Sequence, residues 1–268
     1  MIKVLGIPTD INSSFMKGSA EAPDIIRKMD SDGSANSYAE NGIKVKSCES
    51  YSDLGNMDFS KKLKPNEIHQ LIVNKIKSEL QDGSKLISIG GDHAISYPIL
   101  EAYATQHAHL NILHFDAHPD LYHNFQDNPY SHASPFARIM ENKFANALTQ
   151  VGIRTLDAHQ RKQTDKFNVK SFEMKDFDLN LIINHVKQLS GPLYISIDID
   201  ALDPSCAPGV SHHEPGGLMT RDVLSIIQAI KCEVVGADIV EYNPSRDINT
   251  MTAMVSYKLF KEVLAKML

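Results

Sequence analysis

A chain of 268 residues with a formal charge of −6 and no Lys/Arg cluster argues against nucleic acid or an anionic membrane as the main partner, and for a small molecule. Its three cysteines, Cys48, Cys206 and Cys232, include no CxxC pair, which argues against a thiolate zinc site or a disulfide framework and fits a reducing cytoplasm. No stretch approaches membrane-spanning length, and the apolar start, Met1 to Pro8, is too short for a signal peptide and reads as a first buried strand.

Short β-rich apolar runs alternate with longer amphipathic segments throughout, the pattern of a parallel sheet covered by helices. Strands are expected near residues 3–7, 44–48, 85–89, 111–115, 147–151, 169–172, 193–197 and 234–240. Apolar residues recur at three and four most clearly over 66–80, 94–105, 179–188, 220–229 and 251–266, which predicts helices there. No repeat, low-complexity tract or Gly/Ser linker divides the chain. Residues 1–268 therefore read as one α/β domain, with a central, mostly parallel eight-stranded sheet flanked by helices on both faces.

The loop from Asn12 to Pro23, with Ser13, Ser14, Gly18 and Ser19, follows the first strand. In an open parallel sheet, loops at the carboxyl ends of strands build the ligand crevice, although Gly and Pro here serve turn geometry equally well. Asp53 to Asp58, around Gly55, reads as a turn. At 88–96, paired glycines Gly90 and Gly91 end a strand and let the backbone come close to something bulky, Asp92 is placed to cap a helix, and His93 follows. No Gly-Lys-Ser/Thr stands at phosphate-loop spacing, which disfavours nucleotide binding.

The apolar run 113–115 breaks into Asp116, His118 and Asp120. If the segment stays extended, alternate side chains point the same way and three polar groups converge at a buried strand end, where something must neutralise them. The following loop is polar, aromatic and proline-containing, and carries His132, a residue type suited to moving protons at neutral pH. Asp198 and Asp200 alternate with apolar residues at another strand end, and a shared cation would relieve their repulsion. Asp203, ahead of Pro204, reads as a turn residue opening a Pro/Gly-rich loop through Gly217. Glu241 stands at the mouth of the last strand and would by itself be an ordinary ion-pair partner.

One His at a glycine turn, Asp-x-His-x-Asp and Asp-x-Asp make six potential ligands: His93, Asp116, His118, Asp120, Asp198 and Asp200. That set is too large and too oxygen-rich for one four-coordinate zinc and suits two divalent ions, Mn²⁺ ahead of Zn²⁺ or Mg²⁺. Two ions a few ångströms apart can acidify a shared water into a nucleophile, so hydrolysis is the implied reaction class.

Gly-Gly-Asp-His at 90–93, Asp-Ala-His-Pro-Asp at 116–120 and Ser-Ile-Asp-Ile-Asp-Ala-Leu-Asp-Pro at 196–204 resemble the motifs of the ureohydrolases, the family of arginases and agmatinases. The stretches 116–138 and 194–217 are most similar to plant-type arginases. The resemblance implies a single-domain arginase-like fold and two Mn²⁺ per subunit. One ion would be held by His93, Asp116, Asp120 and Asp198, the other by Asp116, His118, Asp198 and Asp200. Asp120 would also guide the nucleophile's proton towards the leaving amine, Glu241 would bind the guanidinium, and His132 would shuttle protons or contact substrate.

The implied reaction takes a guanidino group to urea and an amine, arginine to ornithine in the first place, with agmatine or another guanidino compound as the alternative. Asp157 falls where relatives contact a substrate's distal amino group, and His212 stands where many relatives carry a small hydroxyl residue, so both belong to the expected substrate pocket. Trimers or hexamers are expected from the same resemblance. Two other classes remain at this point, a single-zinc deacetylase of similar fold and a non-catalytic binder of guanidino ligands.

Overall fold

The apolar runs are long enough to be buried on both faces, and they pair side by side. In the computed structural model, which describes residues 1–59 and 63–268, the strands are β1 (Ile2–Ile7), β2 (Ser52–Asn56), β3 (Lys85–Gly90), β4 (Asn111–Phe115), β5 (Ala147–Ile153), β6 (Lys170–Glu173), β7 (Leu193–Asp198) and β8 (Val234–Val240). Among the described residues they form one eight-stranded sheet in the order β2-β1-β3-β8-β7-β4-β5-β6, with every neighbouring pair parallel.

Alternate residues of each strand feed opposite cores. On one face Val4, Ile87, Ile89, Leu113 and Phe115 pack with side chains of α1 (Ala22–Ser31), α6 (Leu179–Val186), α7 (Thr220–Ala229) and α8 (Met251–Met267). On the other, Leu5, Ile7, Leu86 and Ile112 pack with α2 (Pro65–Leu80), α3 (Ser96–Tyr103) and α4 (Pro135–Glu141). Helices α1, α2 and α4 each carry a proline in the first turn, where a missing N–H leaves no bond unmade. Helix α5 (Ala158–Lys166) is polar and buries Gln160 and Gln163, so it has no apolar period to read.

One strand lies elsewhere than expected. Residues 44–48 make only isolated bridges, Lys44 with Tyr38 and Ser47 with Tyr51, and Cys48 at φ 64° ends the extension. The edge strand is instead β2, which had read as a turn. It pairs on one side only, so it needs no apolar alternation, and Arg27 holds it through Asp53 at 2.8 and 3.0 Å. The helix expected over 94–105 is also divided, into a 3-10 turn at His93–Ile95 and α3.

The chain adds β7 and β8 last, and they fill the gap between β3 and β4. The carboxyl ends of β3, β8, β7 and β4 therefore stand next to one another, and all six expected ligands lie at or just beyond them. This reversal of strand order is where open α/β sheets form a ligand crevice.

Candidate metal centre

The glycine pair after β3 is required by close approach. A Cβ on Gly91 would lie 1.9 Å from the Thr9 carbonyl oxygen, and one on Gly90 would lie 2.2 Å from Ile95 Cδ1. The tight turn places His93 beneath the crevice. Asp92 caps that turn by accepting from the Ala94 N–H at 3.2 Å, and its second oxygen accepts from the Asn12 N–H at 2.9 Å, which anchors the loop after β1. Burial and then the charge of Glu241 push Asp92 up to about 7.

His93 is completely buried, and its Nδ1 stands 3.2 Å from a carboxylate oxygen of each of Asp116, Asp120 and Asp198. Its Nε2 lies 2.9 Å from Ser196 Oγ. The Ser196 hydroxyl donates to Asp238 at 2.6 Å, and Asp238 also accepts from Ser96 at 2.8 Å and Tyr194 at 2.9 Å. With its proton committed to Asp238, Ser196 accepts from Nε2–H, so the neutral ring presents its Nδ1 lone pair to three carboxylates. Such a point requires positive charge. Burial pulls the His93 pKa down, but the three carboxylates outweigh it and hold His93 well above an ordinary imidazole.

The second group forms around His118, whose Nδ1 is 3.1 Å from Asp200 Oδ2 and 3.4 Å from Asp116 Oδ1. Asp116 thus turns one oxygen to each histidine. Four carboxylates in one buried region repel one another. Burial together with Asp200 and Asp116 raises Asp198 well above the usual carboxylate range, and burial with Asp116 pushes Asp120 up to about 7. Asp116 goes the other way, because His114, His118 and His93 outweigh its burial. A donor set of two imidazoles and four carboxylates, with shared oxygens between two histidines, fits two divalent cations of high coordination number.

Alternation along extended strands is not what brings these groups together. β4 ends at Phe115, and Asp120 returns towards His93 through a left-handed residue, φ 50°. Asp200 lies on a 3-10 turn whose N–H donates to Asp198 Oδ1 at 2.8 Å. The spacing of these candidate ligands is set by turns in which an aspartate accepts from the N–H two residues on, Asp198 from Asp200 at 2.8 Å and Asp116 from His118 at 2.6 Å.

Above the cluster opens a cavity of about 450 Å³ lined in part by His118, Asp120, His132, Asp157, His212 and Glu241. Glu241, in a left-handed conformation at φ 64°, accepts from the His93 N–H at 2.9 Å and from His132 Nδ1 at 2.8 Å. Burial would raise Glu241, but His132 brings its pKa below the usual value. Burial would likewise lower His132, and Glu241 instead lifts it to about 9. Asp157 caps α5 through the Gln160 N–H at 2.8 Å and accepts from Tyr122 at 2.9 Å, so its carboxylate lies in the pocket wall already engaged. The His212 ring stands 5.9 Å from His118, 5.8 Å from His132 and 5.3 Å from the exposed Phe15. Asp203 accepts from the Gly216 and Gly217 N–H groups at 2.7 and 3.0 Å, clamping the loop that carries His212.

Three supporting residues were not singled out in the sequence. His114 accepts from Gln150 at Nδ1, 3.0 Å, and donates from Nε2 to Asp116 at 2.8 Å, so both its nitrogens are engaged and it orients the Asp116 carboxylate. Arg154 donates to the carbonyls of Asp200 at 2.7 Å and Glu214 at 2.6 Å, joining the Asp200 turn to the His212 loop. Asp238 sets the His93 tautomer. A histidine and an aspartate inside otherwise apolar strands were the available signal for two of them. Asp238→Asn is expected to lower divalent-metal affinity about 10- to 100-fold with the fold intact, as loss of an outer partner does elsewhere. Metal titration monitored alongside circular dichroism checks this, and an unchanged affinity would refute the tautomer argument.

A model of the arginase family matches residues 1–265. The chain is 43% identical to the mitochondrial arginase of Medicago truncatula, over 98% of this chain and 81% of that protein. It is 33% identical to an N(1)-aminopropylagmatine ureohydrolase of Thermus thermophilus, over 94% of this chain and 86% of that one. A solved structure of arginase from Medicago truncatula superposes with a TM-score of 0.93 at 42% identity, covering 99% of this chain and 87% of that one. The expected cytoplasmic location does not stand. Similar arginases of Medicago truncatula and Arabidopsis thaliana are named mitochondrial or chloroplastic/mitochondrial, and unpaired cysteines do not distinguish one reducing compartment from another.

Proposed function

The chain belongs to the arginase family of hydrolases acting on guanidino groups, and from that premise we propose that it cleaves L-arginine to L-ornithine and urea with two Mn²⁺ per subunit. The likeness to plant arginases over nearly its whole length carries the choice of substrate. On this reading His93, Asp116, Asp120 and Asp198 would hold one ion, and Asp116, His118, Asp198 and Asp200 would hold the other. When bound, the pair balances the four carboxylates and acidifies the attacking water.

The chain's own groups do the rest. Glu241, ionised on the cavity floor, accepts N–H bonds from the planar guanidinium and turns its central carbon towards the metal ligands. Addition of water to that carbon and cleavage of one C–N bond yields urea and an amine, which must gain a proton. Asp120 lines the cavity beside His93 and His132 stands beside Glu241, so on this reading the two would flank that proton's path. Asp157, Tyr122 and His212 form the wall facing the substrate's distal end. Assembly into trimers or hexamers belongs to the same reading, and sedimentation checks it.

Urea release from arginine, agmatine and smaller guanidino compounds, measured in parallel on the Mn²⁺-loaded protein, tests the substrate. Arginine is expected to show the highest kcat/KM, with two metal equivalents per chain. A higher value for agmatine would overturn the substrate, and one metal equivalent would overturn the binuclear centre.

A further inference from the structure

Both ring nitrogens of His132 are already in use. Each imidazole nitrogen has one in-plane position for a hydrogen bond. At Nδ1 that position is taken by Glu241 Oε1, 2.8 Å away. At Nε2 it is taken by Ser14, through the hydroxyl at 2.8 Å and the backbone N–H at 3.2 Å. His132 is buried, whereas Ser14 is exposed and lines the cavity. The His132 ring also lines the cavity, but neither nitrogen is free to face it, so a proton on the imidazole reaches the cavity through the Ser14 hydroxyl.

From this juxtaposition we propose that Ser14 is a relay and positioning residue for His132. The Ser14 N–H donates to Nε2, which leaves the neutral ring its proton at Nδ1, directed at Glu241. When Nε2 gains a proton it donates to Ser14 Oγ. The relay step is a pair of proton transfers: Nε2–H passes its proton to Oγ while the Ser14 O–H proton passes to the amine or to a water in the cavity, and no heavy-atom bond changes. Ser14 is held for this role by its neighbours, since Asp92 accepts from the Asn12 N–H at 2.9 Å and from Ser13 Oγ at 3.3 Å. The loop after β1, otherwise remote from the ligands in sequence, thereby becomes part of the proton path.

The inference rests on the proposed hydrolysis, so the wild type and Ser14→Ala are assayed together, Mn²⁺-loaded, on whichever guanidino compound the wild type turns over. Ser14→Ala is expected to lower kcat at least about tenfold, less than the ~10²–10⁴ of a whole acid–base group because water can partly replace the hydroxyl. KM and metal content should stay near wild type. Small imidazole or amine buffers should restore part of the variant's kcat and leave the wild type unmoved, and Ser14→Thr should retain most activity. A kcat for Ser14→Ala equal to wild type would overturn the relay while leaving the hydrolase reading intact. A loss that neither buffer nor threonine restores would also overturn it, reducing Ser14 to a structural contact. No turnover of any guanidino compound by the wild type would overturn the hydrolase reading, and the relay with it.

Discussion

Asp198→Ala is expected to lose metal and urea release together, by more than the ~10- to 100-fold in affinity that an outer partner is worth. The carboxylate faces His93 Nδ1 at 3.2 Å with Oδ2 and holds the Asp200 N–H at 2.8 Å with Oδ1, so it touches both halves of the cluster. Its removal takes an oxygen from each proposed ion and releases the turn that places Asp200. The metal-depleted protein should respond in the opposite sense. A carboxylate whose folded pKa is raised by burial and by Asp200 and Asp116 destabilises the fold at neutral pH when no cation is bound. The thermal midpoint of metal-depleted Asp198→Ala should therefore equal or exceed that of the metal-depleted wild type, while the rise on adding Mn²⁺ should disappear. Metal analysis, urea assay and paired melting curves read these effects. A variant that keeps full activity and two ions would remove Asp198 from the ligand set.

Asp198 also shows why so much of this site was legible in the chain. Paired acidic residues at the ends of apolar runs are costly without a cation, and each run reads as a strand by composition alone, so the candidate ligands and their place at the sheet's carboxyl edge followed together. What spacing could not supply was the turn geometry. Asp120 and Asp200 reach the cluster through a left-handed residue and a capped 3-10 turn, and alternation happens to name the same residues. The supporting shell is less visible because His114, Asp238 and Arg154 act through hydrogen bonds to partners 2 to 142 residues away, which no local pattern encodes.

The fold divides along similar lines. Central strands, buried on both faces, announce themselves as apolar runs, and long amphipathic helices by their period. The edge strand β2 is polar because it pairs with β1 on one side and is otherwise held by polar contacts, Arg27 with Asp53 and Asp24 with Asn56, and α5 because it buries glutamines. Segments 44–48 and 52–56 therefore exchanged their apparent roles: Val45 buries its side chain between exposed neighbours, while strand pairing also needs a continued extended backbone, which Cys48 interrupts.

Glu241→Gln should separate binding of the guanidinium from binding of metal. Glutamine keeps the shape and can still accept the His93 N–H that Glu241 accepts at 2.9 Å, so both ions should remain. It removes the negative charge that faces the substrate cation and His132. Breaking a buried charged pair costs roughly 3–5 kcal/mol, so kcat/KM for arginine should fall on the order of 100-fold or more at unchanged metal content.

A second signature follows from His132. Its folded pKa of about 9 exceeds the ordinary 6.5, so the pair's contribution to stability is fully present below pH 6.5 and is lost as pH rises through about 9. In the metal-depleted wild type, urea denaturation should show that decline, of order 3 kcal/mol. In Glu241→Gln the largest charge raising His132 is gone and only Asp92 and Asp120 still oppose burial, so its pKa drops and the decline over this window should shrink. Loss of the metals from Glu241→Gln would instead place Glu241 among the ligands, and wild-type turnover would remove it from the substrate site.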